Sequence, residues 1–244
     1  MTPDLSRRGL LLSSGSLAAV PLTGPTEAQS HDTMPATPMA APTLWRFFTA
    51  DQASLVAAMV DRLIPPDAEF TGAVGAGVPQ FIDGQLAGAW GSGARLYRLG
   101  PFAEGTPEQG YQLPYTPAEL YRTSLSLVAD WVRGGYGSRF EELDPRLQDE
   151  ALRSLESGEA GFSELPSDAF FETLLANTVE GFLSDPMYGG NRDMVGWRMV
   201  GFPGPYAGYV NLLDRHGLNF NRPPRGIAEA LREHAQHHAP TLQR

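Results

Sequence analysis

The sequence predicts an all-α fold: irregular helices joined by long Gly/Pro-rich loops. Three observations carry this expectation. Apolar residues recur at helical spacing in several separate stretches, helix-start signals stand ahead of them, and no stretch alternates apolar and polar residues as a half-buried strand would. Gly (27) and Pro (21) together fill about a fifth of the 244 positions, so the connections between packed elements must be long.

The elements follow in order. Thr49 followed three residues on by Gln52 forms a capping box, which satisfies orphan N–H groups at a helix start. Leu55, Val56, Met59, Val60, Leu63 and Ile64 then make one apolar stripe that stops at Pro65-Pro66, predicting a helix over 49–64. After a loop from Gly72 to Gly77, Pro79 suits the first turn of a second helix running to about Ala89, with Phe81, Ile82 and Leu86 on one face. Gly91 to Tyr115 lacks periodicity but carries Tyr97, Phe102, Tyr111 and Tyr115. Long segments of this kind in compact domains tend to be functional or partner-bound.

Thr116-Pro117-Ala118-Glu119 is a second capping box with Pro at the first helical position, and Leu120, Leu127, Val128 and Trp131 carry that helix to Val132. Asp144-Pro145 starts a shorter helix ending near Leu155. Ser167 is expected to cap a fifth, whose Phe170, Phe171, Leu174, Leu175, Thr178, Val179 and Phe182 are expected to form a broad buried face. Asn191 is placed to cap a short helix at 191–200. There is no internal repeat.

Composition narrows the chemistry. The net charge is −10, which argues against nucleic acid as a partner, because a phosphate backbone needs a basic surface. All 18 basic residues are Arg, so Schiff-base and P-loop lysine chemistry is excluded. Cysteine is absent, which removes disulfides, thiolate nucleophiles, Fe–S clusters, zinc ribbons and haem attached through C-x-x-C-H.

Residues 1–28 read as an address rather than as part of the fold. Ser6-Arg7-Arg8-Gly9-Leu10-Leu11-Leu12 is a twin-arginine pattern at the head of an apolar run, Gly9 to Leu22, that is too short to span a bilayer. The small-residue stretch that follows, Thr26-Glu27-Ala28, offers a cleavage site after Ala28, and the sequence leaves open whether it is cut. The expectation is export to the periplasm by the Tat pathway, which carries folded cargo, often with a cofactor or partner already attached. Residues 29–43, rich in Pro, Thr, Ala and Met, read as a flexible linker, leaving 44–244 as a single helical domain.

Asp185-Pro186-Met187-Tyr188-Gly189-Gly190-Asn191-Arg192-Asp193 and the following Gly196-Trp197 to Gly201-Phe202-Pro203-Gly204 form the most unusual stretch. It is neither G-x-G-x-x-G after a strand nor a P-loop, so structural packing or partner docking is the expectation rather than a small-molecule site. His234 and His238 stand at i, i+4 with His237 between them, a spacing that suits two metal ligands. There is no H-E-x-x-H, however, and terminal His clusters are usually solvated, so no metal site is assigned. Glu141-Glu142 reads as a solvated pair, and no G-x-S-x-G elbow exists. No catalytic, cofactor-binding or metal residue is assigned, and catalysis by this chain alone is not expected.

Several of these segments together resemble the gluconate 2-dehydrogenase subunit 3 family. They are the Tat-type leader, Phe47-Phe48-Thr49-Ala50-Asp51-Gln52 leading to Val60-Asp61-Arg62-Leu63-Ile64-Pro65-Pro66, Ala76-Gly77-Val78-Pro79-Gln80-Phe81-Ile82-Asp83, and Tyr188-Gly189-Gly190-Asn191-Arg192-Asp193 through Gly196-Trp197 to Gly201-Phe202-Pro203-Gly204. The resemblance covers most of residues 44–215, and the last block is its most specific part.

The resemblance implies a non-catalytic, chaperone-like small (gamma) subunit of a periplasmic sugar or sugar-acid dehydrogenase. In such complexes a large subunit holds FAD and oxidises the substrate, and a multihaem cytochrome c passes electrons to the membrane. The small subunit supports maturation and Tat export of the flavoprotein, and it meets the membrane only through the complex. Expected partner contacts are Trp90, Tyr97, Phe102 and Tyr111 in the first loop and Tyr188, Arg192, Trp197 and Phe202 in the second, since buried aromatics and Arg are the usual interface anchors. For Trp197, a place in the core is slightly favoured. A stand-alone periplasmic enzyme or a small-ligand binding protein using the aromatic loops are the alternatives.

Overall fold

A computed structural model describes residues 44–103, 105, 106, 109–163, 165–205, 212, 214–218 and 222–237. All lie in one compact unit, Thr43–Arg244. The predicted leader and linker, including Arg7 and Arg8, lie outside the described residues. Among the described residues there is no strand, and the fold is all-α.

The first helix, α1 (Ala50–Leu63), begins on the predicted capping box: Thr49 Oγ1 accepts from the Gln52 amide at 3.2 Å, and Gln52 Oε1 accepts from the Thr49 amide at 3.0 Å. The second box opens α3 (Pro117–Tyr136) in the same way, with the Glu119 carboxylate accepting from the Thr116 amide at 2.8 Å. These hydrogen bonds hold the Glu119 carboxyl below the usual carboxylate range. The helix runs one turn past the expected Val132, through Gly134-Gly135, and stops at Gly137, whose φ of 73° is left-handed. Asp144 caps α4 (Pro145–Glu156) by accepting from the amides of Arg146 and Leu147. Between α1 and α3, α2 (Val78–Leu86) ends earlier than expected. There the chain folds back, Gly91 N–H donates to the Gln85 carbonyl at 3.1 Å, and Gly91 packs on the Leu86 backbone.

The longest apolar element, α5 (Ser167–Leu183), packs against α1, α2, α3 and α4 and organises the core. Two expectations about it are corrected. Ser167 does not cap it: Pro166 stands at the N-cap position, and the buried Ser167 hydroxyl donates to the Leu155 carbonyl at 3.1 Å, joining the start of α5 to the end of α4. Leu175 and Val179 are not in the buried face; both are exposed. They flank the buried face, each about 100° round the helix from the buried Leu174 and Thr178 that precede them.

The core centres on Tyr121, whose ring sits between Phe48 (6.4 Å between centroids) and Phe170 (5.5 Å, edge to face). Burial pushes the Tyr121 hydroxyl well above the usual tyrosine range, and the Asn177 side-chain amide donates to it at 2.9 Å. Asp83, buried on α2, fixes how the chain enters α1. Its Oδ1 accepts from the amides of Phe47 and Phe48 at 3.0 Å, and its Oδ2 accepts from Arg46 N–H at 2.9 Å.

A bidentate ion pair ties α1 to α4. Arg62 on α1 meets Asp149 on α4 through two parallel bonds, Nε–Oδ1 at 2.8 Å and Nη2–Oδ2 at 2.9 Å. The guanidinium holds the Asp149 carboxyl below its usual range. The folded-state pKa therefore lies below the unfolded one, so the pair stabilises at neutral pH and its contribution fades as pH falls through that lowered value. Because the pair is partly solvated, its worth is on the order of 1 kcal/mol. Asp149→Asn is expected to lower Tm by about 2–4 °C at neutral pH. The difference from wild type should narrow below about pH 4, which thermal melts across a pH series will show.

Candidate functional site

The two segments expected to carry partner contacts are built differently. The first, between α2 and α3, is tied at its start to α3, where the Ala118 amide donates to the Gly91 carbonyl at 3.0 Å, and is braced within itself near its end, where the Tyr111 hydroxyl donates to the Tyr115 carbonyl at 3.3 Å. Trp90, Tyr97, Phe102 and Tyr111 come together around a single cleft of about 300 Å³ that Arg98 also lines. Tyr97 is the most open of them, at 78% exposure, and Trp90 and Phe102 are also exposed. Tyr111 is half-buried against the core, and burial raises its hydroxyl pKa. Arg98 reaches the Glu119 carboxylate at 3.4 Å. The cleft is thus an aromatic surface with little free charge.

The second segment starts at Asp185, a buried carboxylate that serves two helix starts. Its Oδ1 accepts from Met187 N–H at 3.0 Å, capping a 3₁₀ turn at Pro186–Tyr188. Its Oδ2 accepts from Ile227 N–H at 2.7 Å, at the first residue of α7 (Ile227–His237). Asn191, Asp193 and Met194 all have positive φ (46°, 55° and 55°), a conformation that costs non-glycine residues energy and persists only where surroundings over-determine it.

Asn191 supplies that determination. The helix, α6, is Val195–Val200, shorter than the expected 191–200, and its N-cap residue is Met194, which makes no side-chain capping bond. The fully buried Asn191 side chain serves the helix start from further back and bridges two stretches of backbone: Nδ2 donates to the Ser184 carbonyl at 2.8 Å, and Oδ1 accepts from Gly196 N–H in the first turn of α6 at 2.8 Å. Gly190 and Gly196 lie so close to the carbonyls of Gly181 and Phe182 that a Cβ at either position would collide with them. The segment is therefore clamped onto the C-terminal half of α5.

Of the residues expected to face a partner here, Tyr188, Arg192 and Phe202 are exposed. Trp197 is buried, at 6% exposure; its indole Nε1 donates to the Leu183 carbonyl at 2.7 Å, and it backs the Phe202 ring edge to face at 5.1 Å. Arg192 N–H donates to the Ala76 carbonyl at 2.9 Å, and its guanidinium lies over Gly77 beside the Gly189 carbonyl. That contact joins the segment to the start of α2.

The remaining sequence candidates look structural. Glu141 pairs with Arg139, and Glu142 accepts from the Ser138 hydroxyl and the Arg139 amide. These bonds lower the Glu142 pKa and leave its carboxylate engaged within a solvated turn. His234 and His237 fall in α7 with side chains outside the described set, and His238 lies outside the described residues. Among the described residues no three His, Asp or Glu side chains gather as metal ligands, and no helix is long and apolar enough to cross a membrane.

Sequence reasoning missed Asp83 and Asp185, whose partners are 35 and 42 residues away along the chain. It also misread the exposed apolar residues Leu175 and Val179 on α5. The available signal for these was that α5 carries apolar residues on every side, which in a soluble chain marks a helix covered all round.

The family model described as gluconate 2-dehydrogenase subunit 3 matches residues 50–204. This span is more than half of the chain and runs from the first residue of α1 to the end of the clamped segment. No curated protein and no solved structure matches the chain.

Proposed function

The chain belongs to the gluconate 2-dehydrogenase subunit 3 family, a small subunit of a dehydrogenase complex, and from that premise we propose a specific place for it. It is the non-catalytic partner of a periplasmic, membrane-associated, FAD-dependent sugar or sugar-acid dehydrogenase. In this role it supports maturation of the flavoprotein subunit and carries it through the Tat pathway on its own leader. FAD and haem c belong to the large and cytochrome subunits, and this chain supplies a docking surface. The family match carries the reading. Two further features support it: the twin-arginine leader at Arg7-Arg8, and two aromatic-bearing segments that hold exposed rings on a helical scaffold.

The test is to produce the chain together with the FAD-containing subunit of the same organism and follow where the flavoprotein goes. With the intact chain, flavoprotein is expected in the periplasm. With Arg7→Lys/Arg8→Lys, which keeps the leader's charge but removes the arginine pair, both proteins should remain in the cytoplasm, still associated. A flavoprotein that reaches the periplasm without this chain would overturn the reading. So would purified chain that turns over a sugar acid by itself.

A further inference from the structure

Helix α5 turns a buried face to the core and an apolar face to solvent. Successive residues rotate by about 100°, so Asp168, Glu172, Leu175, Val179 and Leu183 fall on one side, opposite the buried Phe170, Leu174, Asn177 and Gly181. Leu175, Val179 and Leu183 are 38%, 43% and 38% exposed. They stand at i, i+4 and i+8, which makes a continuous ridge about 12 Å long.

The ridge joins the two segments expected to meet a partner. At its N-terminal end, Asp168 and Glu172 line a cleft together with Phe102 and Tyr111. At its C-terminal end, Trp197 bonds the Leu183 carbonyl and backs the exposed Phe202 ring.

Charge indicates what covers the ridge. Helix α5 carries Asp168, Glu172 and Glu180 and no cation, and none of the three takes part in an ion pair among the described residues. Burial raises the Glu180 pKa, as befits a carboxyl on an apolar surface without a cation beside it. Two-fold pairing of α5 with a second copy of itself would set carboxylate against carboxylate, which is unfavourable at an interface. An apolar surface flanked by Arg or Lys complements both the ridge and its rim.

We propose that the outer face of α5, Leu175, Val179 and Leu183 with Glu172 and Glu180 at its rim, is the central docking surface for the FAD-containing subunit. The aromatic segments close around its two ends. This rests on the function proposed above and places the centre of the interface on a helix rather than on the loops.

The experiment co-produces tagged chain with the FAD-containing subunit and measures their association on purified proteins. Val179→Glu and Leu175→Glu are expected to weaken association by about ten-fold or more, while melting with the wild-type Tm because both side chains are already exposed. Glu172→Lys/Glu180→Lys should weaken it as well and reverse the salt dependence. Leu231→Glu, an exposed position on α7, should change nothing. If wild type binds the flavoprotein and Val179→Glu binds it equally well, the α5 assignment is overturned while the proposed function stands. If wild type does not bind the flavoprotein, both are overturned. A wild-type homodimer that Val179→Glu splits into monomers would assign the ridge to self-association and overturn it too.

Discussion

Replacing Asp83 with Ala is expected to destabilise the domain by about 2–4 kcal/mol, a fall in Tm of about 10 °C for a chain of this size. The carboxylate is buried and accepts three backbone N–H bonds, from Arg46, Phe47 and Phe48. Alanine leaves those donors without their acceptor. Water can reach the half-buried pair at Arg46 and Phe47, but the Phe48 amide is in the core. The damage also spreads beyond the hydrogen bonds, because this latch sets the position of the Phe48 ring, which packs on Tyr121. Asp83→Asn should recover only part of the loss. Its amide oxygen still accepts, but its NH₂ group faces an N–H where an acceptor is needed. Circular-dichroism melts will rank wild type, Asn and Ala, and amide exchange should accelerate first at residues 46–48. An alanine variant that melts within about 1 °C of wild type would show that the latch carries no stability.

Local signals were legible in the sequence because their partners are local. The capping boxes at Thr49–Gln52 and Thr116–Glu119 span three residues, and both form as the pattern predicts. The Asp83 latch was not legible, because nothing near a carboxylate in mid-helix says that amides 35 residues earlier will converge on it. Ser167 misled for a related reason. The residue type suits a cap, yet Pro166 takes that position and the hydroxyl finds the Leu155 carbonyl of another helix.

The surface was harder to read than the core. Apolar periodicity reports that a residue is kept from water without saying by what, so Leu175 and Val179 look like core until the opposite face of α5 is seen packed already. The aromatic segments were found as loops, and the sequence places Trp90, Tyr97, Phe102 and Tyr111 along one of them. Their gathering about a single cleft depends on how that loop is tied to α2 and α3, which no spacing encodes. Trp197 shows both sides of the problem. An indole ring suits an interface anchor or a core equally well, and its hydrogen bond to the Leu183 carbonyl decides for the core.

Asn191 gives the second large effect, and its sign pattern is diagnostic. The residue combines a left-handed backbone, φ 46°, with a side chain that satisfies the Ser184 carbonyl and the Gly196 amide. Asn191→Ala is expected to cost about 3 kcal/mol, because the buried Gly196 amide and the part-buried Ser184 carbonyl lose their partners and a Cβ residue without a polar side chain must hold αL. Asn191→Gly removes the same hydrogen bonds but adopts αL freely, so it should be the milder change although it deletes more atoms. A pure packing role predicts the reverse order. Asp193 supplies the opposite sign: it is exposed with φ 55°, and its side chain forms none of the clamping bonds, so Asp193→Gly should be neutral or stabilising by up to about 1 kcal/mol. The two variants also separate stability from docking. Loss of the Asn191 clamp frees α6 from α5 and with it the Trp197–Phe202 pair at the end of the apolar ridge. Association with the proposed FAD-containing partner should therefore weaken in Asn191→Ala even at temperatures where the rest of the domain is folded, and be unchanged in Asp193→Gly.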